Sequence, residues 1–398
     1  LIQAHKYLCD LNPLKPKSFT TEKALGKVCS KEICARANCP SVDSSLKDGF
    51  AVVSSDLDRA SLKNPIPLTI IDSLVAGERK KTNPVTSGQA VRIMTGAAIP
   101  EGATAVLSSE FTHVQGDLLY ALADAAPNRN ILRKSSDIRK GAAIISEGEF
   151  ITPTHLGLLA AGGVDEIPCY PVPKVAVAAT GSELVWPGEP VTPGKVAASN
   201  MVTAAAELTS LGIFASPVLL RDDLEALEDH FRHLVSEVDV LITCGGVLDG
   251  DKDLTLKAME AVGMEKIFHR VRIGPGKGVC MGQVGTTLVF NLPGGPPSNH
   301  VALLLIALPG IRRLMGYPHI FPARRRVTVC EDYSGQTDWT QLIYTRLRYK
   351  NGTLQALPLN NKGRLEGMAA AHALLEIPEG RKRLYKDKSA DAWCFREV

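Results

Sequence analysis

Val175-Ala176-Val177-Ala178-Ala179-Thr180-Gly181-Ser182-Glu183 is a short apolar run that breaks off at a hydroxyl, a glycine and an acid. The same texture recurs along the next hundred residues. Ile213–Leu220 runs into Arg221-Asp222-Asp223, Val238–Thr243 into Cys244-Gly245-Gly246, and Thr287–Leu292 into Pro293-Gly294-Gly295. Helical patterns separate these runs at Met201–Leu211, Leu224–Ser236 and Leu254–Val262, and Asn299–Leu308 follows the last. Strands alternating with helices predict a multidomain α/β chain whose central unit is a mainly parallel, doubly wound sheet covered on both faces.

On either side of this unit the pattern changes. Thr20–Ala37 reads as a helix, with Thr20 or Thr21 as N-cap, Glu22 in its first turn and Pro40 beyond its end. From Asp48 to Asp137 the chain shows short apolar runs broken by Gly, Pro and Asn, which predicts an inserted β-rich module without a long helix. Ile151–Ala161 is helical, entered through Thr152-Pro153 and left through Gly162-Gly163. Pro168, Pro171 and Pro173 then mark a boundary. After Tyr317-Pro318, the segments Arg324–Val329, Gln341–Tyr349 and Thr353–Leu357 read as strands, and Asn351-Gly352 supplies a hairpin turn, as in a small β-barrel. The expected division is therefore 1–47 with 138–170 as a discontinuous helical linker domain, 48–137 as the β-rich module, 171–318 as the α/β domain and 319–398 as the barrel.

Length and composition agree with several globular domains. At roughly 150 residues per domain, 398 residues make two to four. Apolar residues are 45% and charged residues 22%, which argues against a disordered chain. A net charge of +3 suggests no nucleic-acid partner, and no apolar run reaches the ~18–20 residues of a membrane span. Leu1–Leu14 lacks the apolar core of a signal peptide, and nine scattered cysteines suit a reducing cytoplasm. Cys29, Cys34 and Cys39 step by five, too far apart in angle to share one helix face, so core and loop thiols are expected there.

In open parallel sheets, ligands bind outside the carboxyl ends of the strands. Here those ends carry glycines, whose backbone N–H groups can approach an anion, followed by helix N-termini that favour negative charge. Gly274-Pro275-Gly276-Lys277-Gly278 adds a lysine in a glycine-rich turn, suited to a phosphate but without P-loop spacing. Asp249, Asp251 and Asp253 alternate along a loop, where they could serve a hard cation such as Mg²⁺ or charge the first turn of the next helix. His230 and His233, three apart on an amphipathic helix, read as a solvated or packing face. Arg324-Arg325-Arg326 reads as a solvated strand edge, and Trp186, Trp339 and Trp393 are too dispersed for a base-stacking platform.

Taken in order, four stretches resemble the MoeA-type molybdopterin molybdenumtransferases, which include the E domain of gephyrin. They are Lys47-Asp48-Gly49-Phe50-Ala51-Val52; Val91–Ala97 through Pro100–Ala103; Asn130-Ile131 through Asp137-Ile138; and the α/β unit with Thr180–Leu184, Gly245-Gly246-Val247, Pro275-Gly276-Lys277 and Leu292-Pro293-Gly294. The resemblance covers about Thr21 to Gly380. It implies a MogA/MoaB-like molybdopterin-binding domain and a role in molybdenum cofactor biosynthesis. Molybdenum from molybdate would be inserted into an adenylylated molybdopterin with Mg²⁺-dependent release of AMP. It further implies a cytoplasmic homodimer, with transient contact to a molybdopterin adenylyltransferase or apo-molybdoenzymes. On the matching positions, Asp48, Asp137, Glu183, Asp222 and Asp253 become catalytic candidates, with Asp222 and Asp253 as Mg²⁺ ligands. Thr95, Thr180, Gly181, Ser182, Asn200, Gly245, Gly246, Lys277, Pro293, Gly294 and Pro296 become substrate-binding candidates.

The chain departs from the family pattern inside the pocket. Ala198 stands where an aspartate is usual, Leu248-Asp249 where a serine and a valine are, Gly274 where a lysine is, and Gly295 where an asparagine is. A serine-containing stretch is replaced near Arg364–Gly367. These changes leave a second reading open: a catalytically altered paralogue that binds molybdopterin or a partner protein without turnover.

Overall fold

The alternation that begins at Val175 folds into a six-stranded sheet ordered Ser216–Leu220, Val175–Thr180, Val240–Cys244, Thr287–Leu292, Cys280–Val284, Glu265–His269. The first four strands are parallel, and the last two add an antiparallel hairpin edge that the alternation did not announce. This is a computed structural model, and it describes residues 1–77, 82–247, 254–359 and 362–396. Side-chain alternation sorts the sheet into two faces. Val175, Val177, Ala179 and Ile242 pack toward the helix Ser199–Ser210 and the long helical segment beginning at Pro296. Ala176, Ala178, Leu241 and Val289 pack toward Leu227 and Phe231 of the helix Leu224–Glu237 and Met259 of the helix Leu254–Ala261. Burial on both faces explains why the strands read as unbroken apolar runs.

The segment from Pro296 continues past Leu308, where the sequence suggested an end. It runs as α-helix to Ala302, as a π-helical stretch over Leu303–Ala307, and as α-helix again over Leu308–Leu314. Pro309 has no N–H to give the carbonyl four residues back, that of Leu305. The His5 ring reaches that carbonyl instead, with Nε2 at 3.1 Å. Pro309 falls in the first turn of the last α-helical stretch, just after the π-helical one, and the N-terminal helix Ile2–Cys9 supplies a donor to the carbonyl it leaves open.

A second six-stranded sheet is ordered Ala105–Ser108, Gly49–Val52, Gln89–Ile93, Ile66–Leu74, Leu118–Ala121, Thr112–Gln115, and among the described residues its only helical turns are 3₁₀ turns. Gly49 is required there: a Cβ would stand 2.0 Å from the Leu107 carbonyl oxygen.

The C-terminal strands Thr340–Lys350, Thr353–Leu357, Ala323–Val329, Ser389–Cys394 and Ala373–Ile377 pair in that order, and the last closes on the first, forming a five-stranded barrel. Asn351 and Gly352 turn the expected hairpin with φ of 50° and 72°. A short parallel pairing of Ile273–Gly274 with Thr340–Gln341 ties the barrel to the α/β unit.

Thr20–Ala37 is not a helix. It consists of the end of the strand Lys17–Thr20, a 3₁₀ turn over Thr21–Ala24 and the short strand Ile33–Cys34. Gly26 has a φ of 73°, and the N–H groups of Gly26, Cys29 and Ser30 donate to the carbonyls of Ile151, Glu149 and Pro168. Long-range pairing with residues 143–169 therefore overrides the local helical signals. Cys29 is buried opposite Cys169, Cys34 is exposed and Cys39 is half-buried. Among the described residues, no helix is long and apolar enough to cross a membrane.

Candidate functional site

The register of the central sheet brings the glycine-rich ends together. Ala179 lies opposite Cys244, Cys244 opposite Leu292, and Thr180 opposite Leu220. The chains leaving these strands therefore emerge side by side. Gly245 passes so close to its neighbour that a Cβ would sit 2.8 Å from the Thr180 carbonyl oxygen, and its own φ is 116°. Gly246, with φ 62°, would drive a Cβ to 2.3 Å from Thr255 Oγ1. That hydroxyl is in turn 2.7 Å from Thr180 Oγ1, in a buried pair. These glycines are glycines because three backbones and two hydroxyls meet here.

Outside this floor lies a polar rim. The Ser182 N–H donates to Asp222 Oδ2 at 2.9 Å, and the Asp222 N–H donates to Ser182 Oγ at 3.3 Å. Glu183 folds back over Gly181: a Cβ on Gly181 would meet both its carboxylate oxygens at 2.7 Å. Lys195 Nζ donates to the Ser182 carbonyl at 2.6 Å. Asn200 Nδ2 donates to the Gly294 carbonyl at 2.8 Å, and Asn299 Nδ2 to the Pro293 carbonyl at 3.0 Å. Pro296 opens the following helix in its first turn, where a missing N–H costs nothing.

Lys277 lies along one side. A cavity of about 280 Å³ is lined by Ile273–Gly278, Pro293, Ser298 and Trp339. Lys277 Nζ stands 5.4 Å from the centre of the Trp339 ring, and a Cβ on Gly274 would lie 3.5 Å from Trp339 Nε1. Trp339 comes from the C-terminal barrel, carried in by the pairing of Ile273 with Thr340.

One set of expected residues is thus gathered: Thr180, Gly181, Ser182, Glu183, Asn200, Asp222, Gly245, Gly246, Lys277, Pro293, Gly294 and Pro296. A second set stands apart on the inserted sheet. Asp48 Oδ1 accepts from the Thr95 N–H at 2.7 Å and the Thr95 hydroxyl at 2.8 Å. These two bonds, the amide first, hold the Asp48 carboxyl below the usual carboxylate range. Asp137 is exposed, with the Ser136 hydroxyl 3.5 Å from its Oδ1. Among the described residues, no hydrogen bond or ion pair within the chain joins Asp48, Thr95 or Asp137 to the strand-end group. Asp249, Asp251 and Asp253 lie outside the described residues.

Sequence reasoning missed Lys195 and Trp339. Lys195 carried only the signal of a cation in a Pro/Gly loop. Trp339 sits far along the chain from the turn it covers, and its strand pairing there is two residues long.

Comparison with known proteins agrees with this architecture. Residues 2–163 match the model of the MoeA N-terminal region (domain I and II). Residues 176–313 match that of the "Probable molybdopterin binding domain". Molybdopterin molybdenumtransferase 2 of Mycobacterium tuberculosis is 31% identical over 375 residues, spanning 92% of this chain and 91% of that protein. The molybdopterin molybdenumtransferase of Bacillus subtilis is 31% identical over 389 residues, spanning 94% and 89%. A crystal structure of the molybdopterin biosynthesis moeA protein of Pyrococcus horikoshii superposes with a TM-score of 0.83 at 26% identity, covering 100% of this chain and 99% of that one. The chain belongs to the MoeA family of molybdopterin molybdenumtransferases.

Proposed function

We propose that this protein inserts molybdenum from molybdate into molybdopterin, taking the adenylylated pterin as substrate and releasing AMP. The observation that carries the proposal is the convergence of Gly181, Gly245-Gly246 and Pro293-Gly294 at adjacent parallel strand ends, with Lys277 beside them. Backbone donors and one mobile ammonium suit a phosphate. Ser182 and Asp222 hold the loops that face it.

The donor set fits Mg²⁺. Asp222 uses Oδ2 for the Ser182 N–H and leaves Oδ1 without a hydrogen-bond partner among the described residues. A magnesium ion needs only one or two protein carboxylates, since it keeps several waters. Asp222 and Asp253 would hold it, and when bound it neutralises charge on the phosphoanhydride. In this scheme Glu183 orients water or ligand, while Thr180, Ser182 and Asn200 fix the backbone that receives the pterin phosphate. Asp48 and Asp137 serve the molybdate-insertion side, with Thr95 keeping Asp48 ionised and aimed. We propose further that the protein works in the cytoplasm as a homodimer, with the Asp48–Thr95–Asp137 group of one subunit facing the strand ends of the other. The division at residues 47/48, 137/138, 170/171 and 318/319 belongs to the same scheme. So does transient contact with a molybdopterin adenylyltransferase or apo-molybdoenzymes.

A specific observation favours a second reading, a relative that binds molybdopterin without turnover. Gly274 stands where the family pattern has lysine, and a Cβ there would meet Trp339 Nε1 at 3.5 Å, so this wall of the cavity carries an aromatic ring and one cation fewer than the pattern. Reconstitution separates the two. Purified protein is given adenylylated molybdopterin, molybdate and Mg²⁺, and AMP and metal-loaded cofactor are followed. Both products are expected. Tight binding with neither product would establish the second reading instead.

A further inference from the structure

A second cavity, of about 590 Å³, lies where the helix Ser199–Ser210 ends and the barrel begins. Asn200 of that helix touches the strand-end site, and Ser210 lines this cavity. Ten residues of helix put the two ~15 Å apart. The floor is apolar, built from Leu304, Leu308, Phe321 and Phe395. The walls carry three guanidinium groups, those of Arg312, Arg325 and Arg396, against one carboxylate, Glu207.

The three arginines are unlike others nearby. Strand alternation puts Arg324 and Arg326 on one face, where Glu376 and Asp391 neutralise them at 3.0–3.2 Å. Arg325 points to the opposite face and lines the cavity, and no carboxylate among the described residues pairs with it. Arg312 is half-buried and donates from Nη1 to the Ile320 carbonyl, and among the described residues it forms no ion pair, Glu207 acting on it only from a distance. Burial disfavours its charged form, pushing its pKa down. Arg396 gives Nη1 to the carbonyls of Ala369 and Ala371 and keeps its other donors. Glu207 is turned to the buried His300, whose Nε2 is 3.5 Å away. Buried or converging charges are normally paired, and a guanidinium presents five donors. A cavity in this size range holds a small molecule.

We propose that this cavity is a binding site for a small organic anion: an acidic head, phosphate or carboxylate, with at least two negative charges on an apolar body. The head takes Arg325 and Arg312, neither of which forms an ion pair among the described residues, and the body lies on Phe321 and Phe395. The triplet that read as a solvated edge is thus split by the strand into two paired arginines and one ligand-facing arginine.

Calorimetric titration tests this with 1-naphthyl phosphate, phthalate and inorganic phosphate as probes. Arg325→Gln is the diagnostic variant, because Arg325 is exposed and its side chain makes no hydrogen bond or ion pair among the described residues. Lys277→Ala controls for anion binding at the strand ends. Saturable binding of naphthyl phosphate or phthalate is expected, tighter than inorganic phosphate. It should weaken at least about tenfold in Arg325→Gln, the scale of a lost charged hydrogen bond, and stay unchanged in Lys277→Ala. Tighter binding of naphthyl phosphate assigns the head as a phosphate, and tighter binding of phthalate as a carboxylate. No saturable binding of either aromatic probe overturns the proposal. So does binding that Arg325→Gln leaves intact, or that only Lys277→Ala removes.

Discussion

Ser182 and Asp222 exchange hydrogen bonds across the mouth of the central sheet: each gives its backbone N–H to the side chain of the other. The exchange couples the loop after Thr180 to the loop after Leu220. It also occupies one carboxylate oxygen of Asp222, and the second has no hydrogen-bond partner among the described residues. Asp222→Asn keeps an acceptor for the Ser182 amide while removing the charge. Its thermal stability should stay within about 0.5 kcal/mol of the parent, as for most surface changes. AMP release should fall at least about tenfold, the scale of one lost charged contact, and half-saturating Mg²⁺ should rise. A variant with full activity and an unaltered Mg²⁺ requirement would reduce Asp222 to a loop clasp.

The contact between Gly246 and Thr255 makes a separate prediction about stability. Gly246 has φ 62° and no room for a methyl group, since a Cβ would lie 2.3 Å from Thr255 Oγ1 and 2.8 Å from Thr255 Cβ. Gly246→Ala should therefore cost about 1–3 kcal/mol, as overpacking does. Thr255→Ala removes the hydroxyl but not the Cβ, so the double variant should recover part of this. The coupling should exceed ~0.5 kcal/mol, the range seen for residues in contact. Urea midpoints of the parent, both single variants and the double variant decide it. Simple additivity would show that the loop relaxes away from Thr255.

Why some of this was legible before the fold was known, and some not, follows from the range of the interactions. The parallel strands announced themselves because both faces are buried, leaving unbroken runs such as Val175–Thr180 that end at glycine. The strand-end group followed from the same reading, since parallel strands deliver their ends to one edge. Thr20–Ala37 misled because Thr21 and Glu22 carry helix-start chemistry, whereas most of its amides are satisfied by carbonyls between Ala142 and Pro168. The helix read over Asn299–Leu308 runs on past Pro309, and nothing local shows that His5 will take the Leu305 carbonyl. The barrel strands Ala373–Ile377 and Ser389–Cys394 went unread, although their pairing closes the barrel. Trp339 was set aside as isolated, and only the Ile273–Thr340 register puts it over Lys277.

His5 gives a pH dependence whose sign is fixed by its surroundings. Burial, the largest effect, pushes its pKa down to about 4 from 6.5, against the opposing hydrogen bond to the Leu305 carbonyl. The unfolded chain therefore takes up this proton at higher pH than the folded one. The contribution is fully present above pH 6.5 and is lost as the pH falls from 6.5 to about 4, the loss reaching about 3 kcal/mol at the lower limit. His5→Gln keeps a donor near Leu305 and removes the titration. Denaturant midpoints at pH 7, 6, 5 and 4.5 should fall more steeply for the parent than for the variant. Parallel profiles would mean that the ring reaches solvent.

The separation of the Asp48–Thr95 pair from Lys277 allows a test of the proposed shared site. Among the described residues the Asp48 carboxylate bonds to Thr95, on the inserted sheet, while Lys277 lines the cavity at the central sheet. If one subunit supplies Asp48 and the other Lys277, then Asp48→Asn and Lys277→Ala homodimers are each inactive at both of their sites. Subunit exchange between equal amounts of the two yields half heterodimers. Each heterodimer has one site with both residues intact and one with neither. Recovery to about a quarter of parental activity is the expectation for such a twofold dimer. Activity that stays at the level of the separate variants, with heterodimers verified by mass spectrometry of differently tagged chains, would place both residues in one subunit's site or in different sites. A Thr95→Val subunit should fail to complement Asp48→Asn, since the two residues act on the same side, and should still complement Lys277→Ala.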